Sequence, residues 1–108
     1  MLPLKERNCE PVEKGKKPFD KEKINSYMDM LQQGWDLIDD KKIKKKFLFE
    51  NFKRAMAFVQ EIARVAEEEQ HHPDICISYA DVSIELSTHD VGGLSENDFI
   101  MAAKIDSF

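Results

Sequence analysis

Residues 67–90 read EEEQHHPDICISYADVSIELSTHD, a run that holds a helix end, two strands and all three histidines of the 108-residue chain. Proline disfavours helical geometry in the residue before it, so the helix entering from the left must stop before Pro73. Beyond it Ile75, Ile77 and Tyr79 alternate with Cys76 and Ser78, and after Ala80-Asp81 the residues Val82, Ile84, Leu86 and Thr88 alternate with Ser83, Glu85 and Ser87. Alternation with period two on both sides of a short break predicts a β-hairpin with strands 75–79 and 82–88. The apolar residues must share one face. A register with Tyr79 opposite Val82, Ile77 opposite Ile84 and Ile75 opposite Leu86 achieves this, whereas a slip of one would oppose Ile75 to Glu85. Carried to the open end, that register sets position 72 opposite 89 and makes neighbours of the two histidine-bearing segments.

Upstream, Phe52, Ala55, Met56, Val59, Ile62, Ala63 and Ala66 recur at i, i+3, i+4, i+7 from Asn51 to about Gln70, which predicts an amphipathic helix. Phe58 and Val65 lie off that stripe and are expected to meet a second copy of the chain. Trp35–Asp39 and Ile43–Phe49 read as strands joined near Asp40-Lys41, with Lys45 interrupting the alternation and implying an exposed strand end. Ile24, Tyr27, Met28 and Leu31 predict a first helix over about 21–33, capped by Asp20 and closed at Gly34. Downstream, Gly92-Gly93 leads into Ser95-Glu96-Asn97-Asp98, which has capping-box spacing with Asp where Glu or Gln is usual. Phe99, Ala102, Ala103 and Ile105 give the last helix a short apolar face. The order α-β-β-α-β-β-α predicts an α+β domain over residues 20–108, a four-stranded antiparallel sheet with helices packed on one face. Residues 1–19 hold Pro3, Pro11, Gly15 and Pro18 among charges and predict an irregular leader. The uncovered sheet face and two free edges predict self-association.

Sixteen basic against twenty-one acidic residues give a net charge of -5, which argues against nucleic acid as a direct partner. The basic run KKIKKK at 41–46 falls on a predicted strand and reads as lysines guarding a solvated sheet edge. No apolar run suits a signal peptide or a membrane span, so the expected location is the cytoplasm, with Cys9 and Cys76 as two reduced thiols.

Histidine, with a pKa of about 6.5, is the side chain best able to give and take a proton near neutrality. His71-His72 also suit a helix C-terminus, where the dipole favours a cation. Glu67 has the i, i+4 spacing to hold an imidazolium at His71, or is simply a solvated charge in the run EEE. Asp98 is a helix-capping acid unless the Gly92-Gly93 loop turns it into a site. A metal is not expected, because adjacent histidines diverge and H-E-x-x-H is absent. Cys76 has no neighbour in sequence to activate it as a nucleophile. What remains is acid/base chemistry on a bound small molecule, without a cofactor.

Glu67 ahead of His71-His72-Pro73, followed by Tyr79, Thr88-His89, Gly92-Gly93-Leu94 and Asp98, resembles the signature of the pterin-4a-carbinolamine dehydratases. The resemblance runs from Gly34-Trp35 through the helix of Phe52 and Phe58 to Ala102 and Ile105. Cys9-Glu10-Pro11 is similar to the leader of bacterial and plant members. The resemblance implies a lyase that converts 4a-hydroxytetrahydropterin to quinonoid dihydropterin and water, in tetrahydrobiopterin recycling, with neither metal nor organic cofactor. Loss of the oxygen needs an acid and formation of the quinonoid ring needs a base. The expected catalytic set is His71, His72 and His89, with Glu67, Pro73, Thr88, Asp90 and Asp98 around the substrate. The resemblance also implies homodimers or homotetramers. It leaves two other roles open: a dimerisation cofactor for a transcription factor, and a pterin-related role in molybdenum-cofactor metabolism.

Overall fold

The computed structural model describes residues 2–108. It runs α1 (Lys21–Met28), β1 (Asp36–Ile38), β2 (Lys42–Leu48), α2 (Phe52–Glu69), β3 (Asp74–Ser78), β4 (Asp81–Leu86) and α3 (Glu96–Asp106), the expected α+β order. The sheet is antiparallel throughout, in the order β1-β2-β4-β3. Ile43, Val82, Ile84 and Leu86 point to one face and are fully buried, closing a core with Ile62 of α2 and Phe99, Met101 and Ile105 of α3. Their strand neighbours turn outward, where Lys42 pairs with Glu85 at 3.2 Å and Lys46 with Asp81 at 3.5 Å. A face of that polarity tolerates water, which is why the helices cover only one side. Among the described residues no helix is long and apolar enough to cross a membrane.

Four expectations are corrected. The hairpin register is shifted by two residues, with Ile75 opposite Ile84 and Ile77 opposite Val82. A shift of two preserves the buried face, so alternation does not distinguish the registers, and the two-residue loop Tyr79-Ala80 decides between them. Tyr79 takes a left-handed φ of 51° to make that turn. The ladder starts at Asp74 opposite Glu85, so positions 72 and 89 are not strand partners. Helix α1 ends at Met28, where the amides of Met30 and Leu31 bond back to Tyr27 and Met28 in a tighter turn. Gly34, at φ +112°, lies beyond this turn, and a Cβ there would come within 2.9 Å of Lys45 Cε.

The third correction concerns the lysine run. Strand β2 pairs on both sides and is central, not an edge. Lys45 turns inward, where its Nζ lies 2.7 Å from Asp106 Oδ1 and 4.9 Å from the centroid of the Phe47 ring. Trp35 Nε1 donates to the other Asp106 oxygen at 2.9 Å. The acid and the rings make an inward lysine tolerable. The fourth concerns α2, whose buried face is Ala55, Phe58, Ile62, Val65 and Ala66, while Phe52 is half exposed. Phe58 and Val65 therefore belong to the core of the monomer. The Phe58 ring stands 4.8 Å from both Phe47 and Phe49, and this aromatic contact selects the face that turns inward.

Residues before α1 lie along the helices. Leu4, in a 3-10 turn Leu4–Glu6, is buried, and Lys104 Nζ of α3 donates to the Lys5 carbonyl at 2.8 Å.

Candidate active site

Three features bring the C-terminus of α2 and the N-terminus of α3 to one place. Gln70 takes a left-handed φ of 54° and its amide bonds to Ala66 O; the His71 amide bonds to the same carbonyl at 3.2 Å. This is a left-handed helix cap. It turns the chain so that His71 points inward, its side chain 12% exposed, with Nε2 2.6 Å from Asp98 Oδ1. Thr88, just past β4, bridges back to Gly93, and that short loop delivers Ser95 as the N-cap of α3.

Asp98 is fully buried and bonded on both oxygens. Oδ2 accepts the Thr88 hydroxyl at 2.7 Å and the Ser95 amide at 3.0 Å, while Oδ1 meets His71. Asp98 caps the helix, as its spacing predicts, and also meets His71. A carboxylate only accepts, so the hydrogen of this contact lies on His71 Nε2, and Nδ1 stays outside it. An acid fixing one ring nitrogen so that the other can act is a recurrent device of histidine chemistry.

The other expected residues are spread around this centre. His72 is exposed and pairs with Glu67, also exposed. Glu67 thus serves His72, not His71 as the i, i+4 spacing suggested, because the left-handed cap redirects the chain before the histidines. His89 and Asp90 are exposed in a 3-10 turn His89–Val91, with no described residue bonded to the His89 ring. Pro73 is half-buried between His72 and β3.

His71, Thr88 and Asp90 line a cleft of about 320 Å³. That is at the lower end of the range for small-molecule sites. Sequence reasoning missed the rest of the lining, Cys9, Glu10, Pro11 and Val12 of the leader together with Glu69 and Asn97. The Cys9-Glu10-Pro11 motif was the available signal. Cys9 donates its amide to Glu69 Oε1 at 2.6 Å. Burial, then the nearby Glu69 charge, pushes its thiol up to about 12. Neither cysteine is in a disulfide.

A family model described as pterin 4 alpha carbinolamine dehydratase matches residues 17–108. A protein of Nitrosomonas eutropha provisionally named pterin-4-alpha-carbinolamine dehydratase is 46% identical, over 95% of this chain and 90% of its own. A Hydrogenovibrio crunogenus protein of the same provisional name is 44% identical over 98% of this chain and 94% of its own. Among solved structures, a transcriptional coactivator/pterin dehydratase from Brucella melitensis superposes with a TM-score of 0.79 at 31% identity, covering 83% of this chain and 96% of that one. A pterin dehydratase-like protein identified as a RuBisCO assembly factor in the alpha-carboxysome shares the fold, with a TM-score of 0.61 at 24% identity over 70% of this chain and 89% of that one.

Proposed function

The chain belongs to the pterin-4-alpha-carbinolamine dehydratase family, and from that membership we propose that it removes water from 4a-hydroxytetrahydropterin by histidine acid/base catalysis. The observation that carries the reading is His71, held through Nε2 by a buried Asp98 at the wall of a cleft large enough for a bicyclic ring. Dehydration at C4a needs a proton delivered to the departing oxygen and another withdrawn from a ring nitrogen. His71 is suited to one transfer through its free nitrogen. His72 with Glu67, and His89 beside Thr88, supply imidazoles for the other from the exposed end of the same segments. Asp90 and Pro73 complete the proposed substrate contacts, and the recycling of tetrahydrobiopterin is the proposed context.

Decay of 4a-hydroxytetrahydropterin, followed with and without the protein after exhaustive EDTA treatment, tests this. Faster decay in the metal-free protein is expected. Activity that disappears with the metal and returns with zinc would overturn the cofactor-free mechanism.

We further propose that the chain self-associates. Phe58 and Val65 no longer argue for it, but Phe52, Met56, Val59 and Ala63 do: they form a second stripe on α2, and Phe52 and Ala63 are exposed while Met56 and Val59 are half-buried. Such a stripe suits a second copy packing helix against helix.

A further inference from the structure

Residues 9–12 of the N-terminal segment line the cleft, and side-chain hydrogen bonds hold them there. Asn97, itself 7% exposed, grips one residue of that segment at two points: Nδ2 donates to the Glu10 carbonyl at 2.7 Å and Oδ1 accepts the Glu10 amide at 3.0 Å. Immediately before it in the chain, Cys9 donates to Glu69, whose other oxygen lies 3.9 Å from Lys104. Asn97 adjoins Asp98, and Glu69 stands two residues before His71. The two short segments that assemble the His71–Asp98 pair therefore also anchor the leader. Residues 9–12 precede the stretch matched by the family model, which begins at residue 17.

We propose that Cys9–Val12 forms a wall of the substrate cleft and that Asn97 is the positioning residue that holds it there. A side-chain amide bonded to both the N–H and the C=O of one residue fixes position and orientation together, and its burial keeps water from competing. Pro11 and Val12 are the apolar part of the wall. A wall that touches the bound ring equally before and during reaction contributes uniform binding, so its loss raises KM and leaves kcat in place. Only the identity of the ligand rests on the pterin reading above.

The test uses the full chain in a Cys76→Ser background, so that Cys9 is the sole thiol. Cys9 alkylation by iodoacetamide reports whether the wall is docked, without reference to any ligand. In the parent protein the thiol should react slowly, and Asn97→Ala should accelerate it at least about tenfold while the thermal unfolding midpoint moves by only a few degrees. Equal labelling rates would overturn the clamp. KM for 4a-hydroxytetrahydropterin, and the Kd of biopterin from its fluorescence, should rise about tenfold in Asn97→Ala with kcat within twofold. Should Asn97→Ala fold poorly, Pro11→Gly/Val12→Gly removes the wall's side chains without touching a core residue, and the same rise in KM and Kd is expected. An unchanged KM, or a kcat that falls as far as kcat/KM, would overturn the wall's role. If the parent protein neither binds biopterin nor turns over, the pterin reading and the wall's ligand fail together, while the labelling arm still decides the clamp.

Discussion

At the residue scale the three histidines are not equivalent. His71 is inward and tied to a buried acid, whereas His72 and His89 are exposed. His71→Ala should lower turnover by about 10²-fold or more, and His72→Ala and His89→Ala by less, since a solvated imidazole is more easily replaced by its neighbours or by water. Equal losses at all three positions in kcat measurements would contradict the ranking. Asp98→Ala should cost activity and also about 1–3 kcal/mol of stability in denaturant titration, because it strips partners from Thr88, Ser95 and His71 together. Cys9 offers a pH prediction. Its thiol titrates at about 12 in the folded chain against a reference of 9.0, so folding favours the protonated form. That contribution is complete below pH 9 and is lost as pH rises towards 12. Unfolding free energy should therefore fall more steeply between those values in the parent protein than in Cys9→Ser. Parallel curves would show that the thiol is not protected by the fold.

At the scale of elements, an ion pair joins the sheet to α3 beside their shared apolar core. Lys45 and Asp106 have side chains 13% and 3% exposed, and Asp106 also accepts from Trp35. Removing one partner strands the other, so Asp106→Ala should cost about 3–5 kcal/mol by urea denaturation. Replacing both, as Lys45→Met with Asp106→Leu, should recover much of the loss, because an apolar pair of similar volume avoids the desolvation penalty. A double variant as unstable as the single one would show that the Trp35 bond, not the ion pair, is the important contact. The hairpin teaches a related lesson about legibility. Strand identity and the inward face of β4 were readable from Val82, Ile84 and Leu86, whereas Ile77 of β3 is exposed; the register was not readable, because two-residue shifts leave every side chain on its own face. Tyr79 gave no warning of a tight turn, since a left-handed φ is normally carried by Gly, Asn or Asp.

For the whole molecule, helices cover one side of the sheet and charged pairs occupy the other. Part of the apolar surface available to a second copy is on α2, around half-exposed Phe52. Light scattering at micromolar concentration should report a dimer or a larger assembly, burying at least roughly 1,000 Å² as specific interfaces require. Phe52→Asp with Val59→Asp should shift that mass towards 12.6 kDa. A monomer at every concentration would exclude self-association and leave the α2 stripe as ordinary surface.

What the sequence determined by itself was local and periodic: seven elements in their order, a helix end before Pro73 and the cap at Ser95, the buried face of β4, and the segments that carry the histidines. These follow from interactions between residues a few positions apart, which the spacing of apolar side chains records directly. Only the tertiary structure decided which face of α2 turns inward, that Lys45 has a buried acid sixty-one positions away, that His71 and not His72 meets Asp98, and that leader residues line the cleft. Each of those depends on a partner distant along the chain, and on a left-handed cap or a two-residue turn that aims the backbone. Periodicity carries no record of either, because it states which residues seek burial and leaves open what they will be buried against.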